Sequence, residues 1–344
     1  MEEKEYLEKE KKKNMQAGFL FFALMLIHVV ASFFAPEIVY ENVACNILFS
    51  QGLIIIPVIL FFIITRQNPI QFIRLRKING LSVLLLIVLT YCITPLMVLI
   101  NLISQLFVEQ YTGELIADSI SNFGLIISGL LFALTPALVE EITYRGVFYQ
   151  AARGKRPIRA MIVSGLLFGA MHMNINQILY ACVMGIMFAL VIEATGSLVS
   201  TMIMHFVFNF NSVFLSWLMA KVMGSDFYQE AMEAAGNAEA TEAVSNETGV
   251  VSIIMAIVMY AAMAVVGLVV GYFVLRGIAK LNHKDEHLVS LIHRKKQPVN
   301  GEESLSAVEQ EEAPKTKIWN IWYTLGVIIC AAMAIFTEIV SKMA

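Results

Sequence analysis

Nine apolar stretches, separated by short polar runs, divide this chain: residues near 15–35, 47–65, 81–104, 120–140, 158–173, 176–193, 197–219, 250–275 and 318–341. A helix needs roughly 20 mostly apolar residues to cross a bilayer. The pattern therefore predicts an all-α, polytopic transmembrane helix bundle of eight to nine spans, the fifth and sixth being short. The first apolar run follows a charged head, Met1 to Asn14, and is about 20 residues long, beyond the roughly 7–15 of a signal peptide's apolar region. It is expected to stay as the first span.

Polar punctuation then suggests an order of segments. A charged head covers 1–14, N-terminal spans 15–119, and a core 120–219. An acidic loop follows at 220–249, a span at 250–275, a polar loop at 276–317 and a last span at 318–344. Composition agrees with a membrane protein: 58% of the 344 residues are hydrophobic and 15% charged, with a mean hydropathy of +0.72. Soluble domains are roughly 45–50% apolar. Placing the N-terminus in the cytoplasm puts 22 of the 24 Lys and Arg residues in the head, loop 66–80, stretch 141–159 and loop 276–317, leaving only Lys221 and Lys342 outside. This is the positive-inside bias, and it predicts an N-in, C-out chain. The opposite loops are acidic (Glu37 and Glu41; Glu109, Glu114 and Asp118; Asp226 to Glu247).

The net charge of −3 excludes little. Basic residues scattered among loops, with no stacking platform, argue against nucleic-acid binding. Cys45, Cys92, Cys182 and Cys330 fall in or near different spans, with no metal spacing or disulfide framework. Segment 220–249, with an Asn246-Glu247-Thr248 sequon, and segment 277–317, with His283, His287, His293 and Pro314, read as solvated linkers. The three histidines do not have the spacing of a closed metal site. No internal repeat suggests a transporter built from inverted halves.

Chemistry is concentrated in three short patterns. They are Glu140-Glu141-Ile142-Thr143-Tyr144-Arg145, Phe168-Gly169-Ala170-Met171-His172 and His205-Phe206-Val207-Phe208-Asn209. Charged groups near the bilayer centre cost about 2.5–3.5 kcal/mol on insertion scales, so each is a functional candidate. Glu141 and Arg145 are four apart and share a helix face. Glu140 points elsewhere, because adjacent helical residues diverge by about 100°. Glu141–Arg145 is therefore read as structural support, and Glu140 as free for chemistry. Pro136 lacks an N–H and leaves the Phe132 carbonyl without its usual partner. Gly165 and Gly169 form a small-residue strip that admits a neighbouring helix. His205 and Asn209, also four apart, aim imidazole and amide donors into one space. The plainer readings are charges at a span end, a packing histidine and interhelical hydrogen-bonded glue. His28 is read that way and given no role. A fifth span starting near Pro157 puts His172 roughly 21 Å along it. Glu140 can meet it only if the fourth helix continues through Arg145 toward Tyr149, or if the fifth tilts.

The ordered triplet, over roughly residues 120–215, resembles the CPBP intramembrane protease family, which includes type II CAAX prenyl endopeptidases and bacteriocin-processing or self-immunity proteins. The family pattern is Glu-Glu-x-x-x-Arg, Phe-x-x-x-His and His-x-x-x-Asn, complete and in order here. The resemblance implies that Glu140, His172, His205 and Asn209 carry catalysis, with Glu141 and Arg145 completing the first motif. Glu140, helped by His172, is expected to deprotonate a water that attacks a peptide carbonyl. His205 and Asn209 are expected to donate to the oxyanion. No cofactor is needed on this reading. The alternative is a zinc site of Glu140, His172 and His205 with water as fourth ligand. No Ser or Cys nucleophile belongs to a motif. The expected partner is a membrane-anchored or hydrophobic peptide within the lipid bilayer, in a bacterial cell membrane. The pattern is silent on the oligomeric state. A non-proteolytic membrane scaffold or peptide-immunity protein, and a proton-coupled transporter, are the competing classes.

Overall fold

The computed structural model describes residues 2–108, 112–154, 156–224, 244–292 and 318–343. Among them every regular element is helical. Among the described residues, eight helices are long and apolar enough to cross a membrane, and a ninth apolar helix over Pro157–Met171 is shorter. We number the main helices in chain order: α1 Glu2–Phe34, α2 Val43–Thr65 and α3 Gly80–Gln105. Helix α4 is a composite of Thr112–Gly129, Leu130–Leu134, Thr135–Glu141, Ile142–Tyr149 and Gln150–Arg153. Then come α5 Pro157–Met171, α6 Ile175–Thr195, α7 Val199–Met223, α8 Val244–Leu281, α9 Asp285–Ile292 and α10 Ile321–Met343.

Local chemistry sets many of the ends. Asn42, Asn79 and Asn174 precede α2, α3 and α6, and each side-chain oxygen accepts a backbone N–H of the first turn. Such caps satisfy donors a helix start leaves open. Pro157 opens α5, where a missing N–H costs nothing. Gly196 ends α6 at φ 74°, a left-handed turn that a side chain would strain.

Several boundaries differ from the sequence reading. The charged head is not separate, since α1 is one helix from Glu2. The fourth span does not stop near 140 but runs on to Arg153. It can do so because Tyr144, Arg145, Val147, Phe148 and Tyr149 are all buried. Gly124, at φ 71°, kinks its first part. The segments Leu130–Leu134 and Ile142–Tyr149 are π-helical. Pro136 follows the first of them and lacks the donor that a regular turn needs there. Helix α8 extends into both flanking loops, and α9 forms inside the expected polar loop, with Leu288 fully buried against the core. The rest of the acidic loop, 225–243, and of the polar loop, 293–317 with His293 and Pro314, lies outside the described residues.

Helix α6 is the central element: 61% of its most apolar window is buried, against 11% for α8. The exposed side chains of α8, including Met255, Val258, Val265, Val266, Val269 and Phe273, suit a lipid face. The core gathers Tyr144, Phe148 and Tyr149 of α4 with Phe168 of α5 and Phe188 of α6. α5 and α6 touch through glycine. A Cβ on Gly165 would come 2.7 Å from the Cys182 carbonyl oxygen, and one on Gly185 would come 2.7 Å from the Gly165 Cα. On Gly169 it would meet the Ile178 carbonyl oxygen at 2.5 Å. Close packing of this kind supplies attraction that lipid cannot. Gly169→Leu is therefore expected to lower stability by about 1–3 kcal/mol, read as a fall in Tm in detergent. Gly52→Ala, where nothing lies within 4 Å, should not lower Tm.

Candidate active site

The site is assembled where α4, α5 and α7 meet beside α2. Helix α4 contributes Glu140, Glu141 and Arg145. Arg145 Nη1 donates to Glu141 Oε1 at 3.0 Å, one helical turn away, and both side chains are fully buried. The guanidinium carbon lies 3.9 Å from the Phe168 ring centroid and 5.2 Å from that of Phe188. Its Nε and Nη2 find no hydrogen-bond partner. The two aromatic faces therefore supply much of what water would, through the ring quadrupoles.

Glu141 also faces α7. His205 Nδ1 stands 2.9 Å from Glu141 Oε1. An ionised carboxylate only accepts, so Nδ1 carries the proton and donates. That fixes the imidazole and turns Nε2 toward Glu140, 3.9 Å from its Oε2. Phe168 and Phe188 flank the ring, with centroids at 6.0 Å and 5.7 Å. With Nδ1 committed, Nε2 can donate only when the ring is an imidazolium. This constrains the expected oxyanion role: His205 can donate from Nε2 only as an imidazolium.

Glu140 is 6% exposed, and its Oε1 accepts from Gln51 Nε2 of α2 at 2.9 Å. His172 follows the last residue of α5. Its Nδ1 lies 2.8 Å from the Phe168 carbonyl oxygen, an acceptor, so Nδ1 is the protonated nitrogen and Nε2 is free to act. The His172 ring lies 5.0 Å from that of Phe168, which also faces the His205 ring at 6.0 Å and the Arg145 guanidinium at 3.9 Å. The fold thus brings Glu140, Glu141, Arg145 and His205 into one buried cluster, with the half-buried His172 beside Phe168 at its edge.

Asn209 sits differently. Its Nδ2 donates at 3.1 Å to the Phe132 carbonyl oxygen, the acceptor left open by Pro136. One amide N–H remains for other use. Asn209 thereby ties α7 to the irregular turn of α4 just ahead of the carboxylates.

Two features escaped the sequence reading. Gln51 carried a usable signal, an amide inside an apolar span, subject to the same membrane cost as the motif residues. Glu193 of α6 anchors a second network at the Arg153 end of α4. It accepts from Tyr149 Oη at 2.8 Å and from Arg153 Nε and Nη2 at 2.7 and 2.6 Å. His287 Nε2 of α9 lies 2.6 Å from its Oε2, and Arg74 lies 3.8 Å from its Oε1. His287 is thus bound to the core, not left in a solvated linker. No motif spacing marked this contact, because its members are up to 213 residues apart in the chain, from Arg74 to His287.

A zinc ion would need a convergent donor set. Among the described residues, no three His, Cys, Asp or Glu side chains are gathered to hold a metal. Glu140, His172 and His205 as they stand do not form one.

Residues 122–211 match the family model described as type II CAAX prenyl endopeptidase Rce1-like. The match spans all three motifs, and the eight long apolar helices among the described residues are those of an integral membrane protein. No curated protein and no solved structure matches the chain.

The Asn209 contact has a measurable consequence. Asn209→Ala leaves the Phe132 carbonyl unpartnered and should cost about 1–3 kcal/mol in stability. In a Pro136→Ala background the residue at 136 regains an N–H that can serve this carbonyl, and the cost should shrink. A double-mutant cycle on Tm or denaturant midpoints measures the difference; equal costs in both backgrounds would refute the link.

Proposed function

We propose, for a chain whose residues 122–211 match the Rce1-like type II CAAX prenyl endopeptidase model, that it hydrolyses a peptide bond in a membrane-associated peptide by glutamate-activated water. The observation that carries this is the buried carboxylate of Glu140 beside His205, itself held by a second carboxylate, with His172 on the far side of the shared Phe168 contact. Glu140 is the general base. It takes a proton from water while the water oxygen bonds to the scissile carbonyl carbon. The carbonyl oxygen gains the negative charge. His205, as an imidazolium with Nε2–H, and the remaining N–H of Asn209 donate to it. Charge-stabilising donors count for most where water is scarce. Glu140 then gives its proton to the leaving amine nitrogen as the C–N bond breaks, so the carboxyl is returned to its starting state. His172, with Nε2 free, assists the proton transfer. Glu141 and Arg145 position His205 and do not touch the reacting atoms.

The reading we favour is metal-free, since among the described residues no three His, Cys, Asp or Glu side chains converge as a ligand set. No step is routed through zinc. The substrate class we favour is a membrane-anchored precursor or hydrophobic peptide, in a bacterial cell membrane with the N-terminus in the cytoplasm. A prenylated CAAX peptide is the candidate that the family description supplies.

Cells carrying the wild type or Glu140→Gln, at equal protein levels, should differ in their membrane and secreted peptides. A precursor should accumulate in the variant, with one defined cut missing, because losing the base removes about a hundredfold or more of rate. Identical peptide profiles with any phenotype retained would favour a scaffold instead. Dialysis against EDTA should leave the cut intact. Loss that zinc alone restores would overturn the metal-free mechanism.

A further inference from the structure

The amide of Gln51 is half used. Its Nε2 donates to Glu140 Oε1 at 2.9 Å. The carboxylate fixes which way the amide points, because only the nitrogen side has protons to give. Its Oε1 is then buried with no hydrogen-bond partner, on a residue 8% exposed. An unmatched buried acceptor is costly. In an apolar span, a methionine or leucine would fill the same space at no such cost. The orphan oxygen is bonded to the same carbon as the nitrogen that grips the base. It therefore lies close to the Glu140 carboxylate, on the side chain that grips the base.

Water has two protons, and a general base accepts one. If the second is unpaired, the molecule can rotate about its contact with the base, and its lone pairs have no fixed direction. An acceptor held against the base fixes both O–H bonds and leaves the lone pairs to face the substrate carbonyl. Gln51 Oε1 has the position and chemistry of that second acceptor.

We infer that Gln51 is a positioning residue of this enzyme: its Nε2 holds the Glu140 carboxylate, and its Oε1 accepts the second proton of the hydrolytic water. This rests on the hydrolytic reading given above. Gln51 lies on α2, outside residues 122–211, so the N-terminal helices supply part of the reaction centre as well as a lipid-facing wall.

The test uses the purified full chain in detergent and a synthetic copy of the precursor that Glu140→Gln cells accumulate. Gln51→Met keeps the side-chain length and removes both contacts. We expect kcat to fall about tenfold or more while KM stays within about twofold, since the lost contacts orient base and water but do not bind peptide. Gln51→Asn, which withdraws the amide by one methylene, should lower kcat in the same sense. It decides the matter if the Met variant does not fold. Monodisperse elution and Tm are measured for each variant. An unchanged kcat, a rise in KM alone, or a loss that merely tracks a fall in Tm overturns the assignment. Glu140→Gln is assayed in parallel. If it still cuts, the hydrolytic reading fails. If it is inactive while Gln51→Met is fully active, only the role of Gln51 fails.

Discussion

Arg145 has no exposed surface, and its charge lies inside a bundle built to sit in lipid. Isolated there, a guanidinium would cost several kcal/mol. Everything around it reduces that cost. Glu141 pairs with it one turn back, Phe168 and Phe188 offer their ring faces, and His205 shares the same carboxylate oxygen. These partners come from α4, α5, α6 and α7. The buried charge is thus met only when all four helices are in place. Removing one partner leaves a charge uncompensated. The same set turns His205 Nε2 toward Glu140, so the requirement that stabilises the bundle also orients the chemistry.

Helix α4 is irregular where it matters. A regular helix through 130–149 would satisfy its backbone from within. Pro136 breaks that accounting, and π-helical segments lie on both sides of Thr135–Glu141. Segments of this kind recur at functional sites because they change the direction of side chains within a continuous helix. The displaced carbonyl is met by Asn209 from α7. One amide therefore satisfies a backbone group and sets the spacing between the helix of the carboxylates and the helix of His205.

At the other end of α4, Glu193 plays the corresponding part. It is buried and meets Arg153 in a bidentate pair, with Tyr149 and His287 completing its shell. Fork-to-fork pairing of this kind gives direction as well as energy. It fixes the end of α4 against α6 and binds α9 to both. α4 is thus held at two points, Arg145 and Arg153, with the carboxylates Glu140 and Glu141 just ahead of the first.

The sequence by itself determined what the membrane makes unavoidable. Twenty-residue apolar runs must become helices, since lipid leaves no other way to satisfy the backbone. The same cost made Glu140, Glu141, Arg145, His172, His205 and Asn209 visible as candidates, and helical spacing placed Glu141 and Arg145 on one face. Tertiary structure decided what depends on neighbours from distant parts of the chain. It carried α4 past residue 140, because burial of Tyr144, Arg145 and Phe148 needs α5 and α6 around them. It committed the Asn209 amide to Phe132, joined Gln51 to Glu140 across 89 positions, and bound His287 to Glu193 across 94. A spacing rule reaches one or two helical turns. The partners of a buried polar atom are set by which helices pack together, and that is fixed only when the whole bundle closes.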